Sequence, residues 1–114
     1  MSKVLRLAIS PCPNDTFMFD AMINHRIDTE GLQFEVDYLD IEQLNSAALE
    51  SKYDVSKCST VLLPAIYANY RLLDSGSALG RGNGPLLVRR RGFDGAMRDI
   101  VVPGLHTTAN LLTE

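Results

Sequence analysis

The chain has 114 residues, 46% of them hydrophobic, with a formal net charge of −3. That is enough for one small domain with a core, and the composition excludes wholesale disorder and any global attraction to nucleic acid or anionic membranes. No apolar run approaches the ~20 residues needed to cross a bilayer, and MSKVLRLAIS runs into a proline-rich loop rather than reading as a signal peptide, so a cytoplasmic location is expected.

In chain order, Val4 to Ser10 reads as a buried strand stopped by Pro11. Thr16 to Asn24 reads as a helix, capped by Asn14, Asp15 or Thr16, with Phe17, Ala21 and Ile23 toward the core. Glu30-Gly31 marks a turn, and LQFEVDYL, residues 32 to 39, alternates with the period of a strand solvated on one side. Asp40 with Gln43 three residues on forms a capping box for a helix that carries Ile41, Leu44 and Ala48 on one face. Tyr53 to Ser59 reads as a third strand and Thr60 to Tyr70 as a helix that tolerates Pro64 only in its first turn. Beyond GSALGRGNGP, strands are expected at Pro85 to Arg89 and Asp99 to Val102, with a charged crossover at 90–98 between them. A Pro103-Gly104 turn and a helix from Thr107 to Thr113 follow. Such alternation implies an α/β fold with a parallel sheet.

Ligands of parallel α/β sheets sit outside the C-terminal ends of the strands. Three polar segments fall there. SPCPND, residues 10 to 15, is either a stiffened binding lip ahead of a helix N-terminus or a rigid connection with an ordinary cap. Lys57-Cys58-Ser59 offers a hydroxyl that as a lone serine reads as a cap, with no neighbouring acid or histidine to make it a nucleophile. GLHTTAN, residues 104 to 110, pairs two threonine hydroxyls with free N–H groups, or is a Pro-Gly turn, a Thr cap and an exposed His106. Asn45 lies amid Leu44, Ala47 and Ala48 and points either to solvent or to a cleft. The glycine-rich stretch 76–85 lacks the G-K-[ST] ending of a phosphate loop, which argues against nucleotide binding. Arg89-Arg90-Arg91, without interleaved aromatics, reads as a solvated strand end rather than a nucleic-acid patch. Cys12 and Cys58 have neither redox-motif nor zinc spacing, and no metal site is expected.

Taken together, SPCPNDTFMFDA, YDVSKCS, LLDSGSALGRGNGPLL and VPGLHTTANLL closely resemble the 1,4-dihydroxy-6-naphthoate synthase family of the futalosine route to menaquinone. The sister chorismate dehydratase is less similar in these strings. The resemblance implies a periplasmic-binding-protein-like (type II) fold of two lobes, with residues 1–90 an incomplete first lobe and 91–114 the crossover and start of the second. It implies a cytoplasmic lyase that converts cyclic dehypoxanthine futalosine to 1,4-dihydroxy-6-naphthoate and dihydroxyacetone without metal or organic cofactor. By matching motifs it points to Lys57, Cys58, Ser59, Thr108 and Ala109 as substrate-binding positions, with Thr107, Asn45 and Asp15 alongside. Family members are more than twice this length, and their general-base histidine falls beyond residue 114, so neither His25 nor His106 takes that role. The chain therefore reads as an N-terminal portion, inactive alone, with self-association or a missing C-terminal half expected at its uncovered surfaces. A non-catalytic small-ligand binding module of the same fold is the alternative from another class.

Overall fold

The computed structural model describes residues 3–113. Strand β1 (Lys3–Ile9) lies at the centre of a three-stranded parallel sheet of order β2-β1-β3, with β2 spanning Leu32–Tyr38 and β3 only Val55–Ser56. The protein is thus α/β with a small parallel sheet. β1 is the apolar strand, and its last three residues, Leu7, Ala8 and Ile9, are wholly buried because neighbours flank them on both edges. β2 pairs along its full length, Lys3 opposite Leu32 through Ile9 opposite Tyr38. The turn before β2 places Gly31 at φ +83°, a backbone region that glycine enters without steric cost.

Helix α1 (Pro13–Ile23) begins one turn earlier than the sequence predicts. Pro13 occupies the first turn, where its fixed φ suits a helix and its missing N–H is not needed, and Cys12 takes the cap position instead of Asn14, Asp15 or Thr16. Asp15 therefore lies inside the first turn and turns inward, where its Oδ2 accepts from the Ser10 N–H at 2.9 Å. That anchor rotates Phe17 to the opposite side, 87% exposed rather than in the core, while Ala21 and Ile23 are half-buried.

Helix α2 (Ile41–Leu49) has the expected capping box: Gln43 N–H donates to Asp40 Oδ1 at 2.9 Å, and the Asp40 N–H to Gln43 Oε1 at 3.0 Å. It buries Leu44, Asn45, Ala47 and Ala48. The third strand is shorter than Tyr53 to Ser59 because Lys57, after donating its N–H to the Ala8 carbonyl at 2.9 Å, leads the chain away from the sheet. The single helix expected over 60–70 is a 3-10 turn at Thr60–Leu62 followed by the one-turn α3 (Leu63–Ile66). Pro64 sits in the first turn of α3, and its lack of an N–H removes the bond that would have made Thr60–Leu62 α-helical. Ala48, Leu62 and Ile66 form the second part of the core with Cys58, Leu63 and Tyr70 against them.

The strands expected at 85–89 and 99–102 are not formed. A strand exists through its ladder, and no described segment pairs with either stretch. Every residue from 71 to 101 is exposed. The radius of gyration is 17.0 Å, against about 13 Å for a compact chain of this size. After this excursion the chain returns at residues 104–107 against α2 and enters α4 (Thr108–Leu111), with Thr107 as its cap.

Candidate functional site

An open cleft of about 550 Å³ lies at the C-terminal ends of β1 and β3, between the N-termini of α1 and α2. Ser10, Cys12, Asn14 and Asp15 form one wall, Asp40 and Leu44 another, and Lys57 and Cys58 a third. Adjacent parallel strands end side by side here, and both βα connections must turn at the same level, which opens a crevice. The prolines on either side of Cys12 restrict the wall that carries it, and the Cys12 N–H is held by Ser10 Oγ at 3.1 Å.

Inside the cleft Lys57 Nζ lies 3.9 Å from Asp15 Oδ1 and donates to the Gly76 carbonyl at 3.4 Å. Both contacts are long for charge-assisted bonds, so the ammonium retains capacity for an anionic or carbonyl-bearing ligand. The two thiols differ. The Ser10 hydroxyl and the N–H groups at Asp15 and Asn14 hold exposed Cys12 below the usual thiol range. Burial pushes half-buried Cys58 up, with the Lys57 charge opposing weakly.

Beside the cleft is a buried polar knot. Asn45, with no exposed surface, accepts from the Ser59 N–H at 2.9 Å and donates to Ser59 Oγ and to the His106 carbonyl, each at 3.0 Å. The amide orientation follows from its partners, since only its oxygen can face the Ser59 N–H. Because Ser59 Oγ accepts from Asn45, its own O–H remains free to donate. Thr107 is used structurally: its hydroxyl donates to the Gly104 carbonyl at 2.7 Å and accepts from the Asn110 N–H at 3.2 Å. Half-buried Thr108 has no hydrogen-bond partner for its hydroxyl among the described residues.

The structure thus brings Asp15, Lys57 and Cys58 into the cleft and ties Ser59 and Asn45 into the adjoining knot, while Thr107 caps α4 next to it. Thr108 and Ala109 open α4, two and three residues after the His106 carbonyl that Asn45 holds, and Ser59, expected as a lone cap, makes no side-chain cap bond. His25 sits in the exposed turn after α1. His106 is not free, because its Nδ1 lies 2.7 Å from Glu42 Oε1. Glu42 escaped sequence reasoning, as did the close approach of Gly104 to it. Only the placement of Glu42 one turn before Asn45 on α2 could have hinted at it. Among the described residues no cluster of three or more His, Cys, Asp or Glu side chains is placed to hold a metal ion. No described helix is long and apolar enough to cross a membrane.

A family model described as menaquinone biosynthesis matches residues 5–114. The chain is 42% identical over 113 residues, 96% of its length, to a 1,4-dihydroxy-6-naphthoate synthase of Thermus thermophilus. It is 42% identical over 112 residues, 97% of its length, to a protein of the same name from Streptomyces coelicolor. It spans about two-fifths of the length of these relatives, 40% and 39% respectively. The chain belongs to the menaquinone-biosynthesis family.

Proposed function

From that membership we propose that the chain supplies the first ligand-binding lobe of a cytoplasmic 1,4-dihydroxy-6-naphthoate synthase, a lyase acting on cyclic dehypoxanthine futalosine. The observation that carries this is 42% identity, over nearly the whole chain, to two proteins of that name. The open cleft at the strand ends supports the reading, since it is concave and offers a few convergent polar groups, as small-molecule sites do.

In this proposal residues 1–90 belong to the first lobe of a type II periplasmic-binding-protein-like fold, and 91–114 cross to the second. The Ser59 and Thr108 hydroxyls donate to substrate oxygens, and Asn45 fixes the direction of the first. Lys57 balances negative charge on the substrate, with Asp15 beside it holding the ammonium in place. Cys58, Thr107 and Ala109 shape the wall. The reaction begins with removal of a proton, after which C–C or C–O cleavage releases 1,4-dihydroxy-6-naphthoate and dihydroxyacetone. A base for that step is a positioned side chain within hydrogen-bond reach of the proton, most often a histidine. By the family resemblance that base is a histidine in the part of the relatives' length that this chain does not span, and neither His25, in the turn after α1, nor His106, whose Nδ1 lies against Glu42, is given the role.

The test is to incubate the complete gene product with cyclic dehypoxanthine futalosine and follow both products by mass spectrometry. Release of both supports the lyase. Binding without release would instead establish a small-ligand binding module, and absence of binding and release would overturn the assignment.

A further inference from the structure

Residue 106 is held through three of its polar groups: its backbone N–H, its carbonyl and one ring nitrogen. Its backbone N–H donates to Glu42 Oε2 at 3.3 Å, its ring Nδ1 meets Glu42 Oε1 at 2.7 Å, and its carbonyl accepts from Asn45 Nδ2 at 3.0 Å. Glu42 and Asn45 are three residues apart on α2, the spacing that places side chains on one helix face. A carboxylate only accepts, so Nδ1 carries a proton and both Glu42 oxygens are in use. The approach is close enough that a Cβ on Gly104 would fall on the Glu42 carboxylate, so a larger residue there must displace the Glu42 side chain. Residues 71–101 make no buried contact before this point. The Glu42 and Asn45 clamp is therefore where the returning chain is set in register, immediately before Thr107 and Thr108. Next to it, Leu105, His106 and Leu111 meet Val61 and Leu62 around a hollow of about 180 Å³, too little packing to fix the loop alone.

We infer that Glu42 is a positioning residue for the ligand site: by holding residue 106 through both its N–H and its ring, it seats Thr108 opposite Ser59, so that the two hydroxyls act as one donor pair. The inference rests on the ligand site proposed above, but the clamp itself can be tested without ligand. Glu42 is one-third exposed, so a small carboxylate from solution can reach the space that Glu42→Ala vacates.

The experiment compares wild type, Glu42→Ala and Glu42→Gln by amide hydrogen exchange and by titration with cyclic dehypoxanthine futalosine, each with and without formate. Glu42→Gln keeps the shape but presents a donor to one of the two donors on residue 106. Expected in Glu42→Ala is at least tenfold faster exchange confined to residues 105–111, with β1 and β2 unchanged, and ligand affinity lowered five- to twentyfold. Formate should restore much of both in Glu42→Ala and little in Glu42→Gln, whereas a merely structural defect would not respond to formate. Unchanged exchange at 105–111 in Glu42→Ala overturns the inference, as does faster exchange with unchanged affinity. If wild type binds no ligand, the proposed function falls, and localised exchange with formate rescue still decides the clamp.

Discussion

Replacing Asn45 with alanine removes three hydrogen bonds at a site with no exposed surface. At about 1 kcal/mol net for each bond, the loss is about 3 kcal/mol, and unpaired buried partners would add to it. That is a large share of the roughly 5–15 kcal/mol by which domains are stable. The chain has no tryptophan, so urea unfolding is best followed by far-ultraviolet circular dichroism. With a slope of about 1.5 kcal/mol per molar, the midpoint should fall by about 2 M. Asn45→Asp gives a second, sharper expectation. Its first oxygen still accepts from the Ser59 N–H and Ser59 can turn its hydroxyl to donate, but the second oxygen faces the His106 carbonyl. Burial favours the protonated acid, which is again a donor, so the folded form binds its proton more tightly than the unfolded form. Stability is then retained at low pH and lost as pH rises through the folded value, so the penalty of Asn45→Asp should shrink on acidification. An Asn45→Ala penalty below about 0.5 kcal/mol, the range of ordinary surface changes, would refute the knot as a structural centre.

Gly104→Ala should cost about 1–3 kcal/mol through overpacking against Glu42, and the double variant with Glu42→Ala should recover part of it; additive losses in urea melts would show that the two residues are not in contact. Iodoacetamide should alkylate Cys12 well before Cys58, with the Cys12 rate climbing with pH from a lower midpoint than that of Cys58, and peptide mass spectrometry showing Cys58 modified first would contradict the geometry of both thiols. The chain alone should self-associate, because β2 and β3 leave unpaired sheet edges and Leu72, Leu79, Leu86 and Val88 are exposed; a concentration-independent monomer in light scattering would count against this.

The elements that were legible in the sequence are those decided locally. Asp40 and Gln43 announce their helix because both halves of a capping box lie within one turn. LQFEVDYL announces β2 because alternation is a property of neighbouring residues. The start of α1 was misplaced because polar residues compete as caps, and Pro13 with the tertiary bond from Ser10 to Asp15 settled the contest. Residues 85–89 and 99–102 have strand composition, but composition does not supply a ladder partner. In the candidate site GLHTTAN follows a stretch, 99–102, that forms no strand, but the loops after β1 and β3 were visible because topology places both on one side of the sheet. Glu42 and Gly104 were not, since their roles arise only when a segment more than sixty residues away in sequence folds back onto α2.

The most direct measurement of the central claim is calorimetric titration of cyclic dehypoxanthine futalosine into wild type, Ser59→Ala and Thr108→Val. Saturable one-to-one binding is predicted, weakened in each variant by about 1–3 kcal/mol, or roughly 5- to 150-fold, as for loss of one partner in a buried hydrogen bond. Binding that is unchanged in both variants would remove these hydroxyls from the site, and no binding by the wild-type chain would contradict its assignment as a ligand-binding lobe.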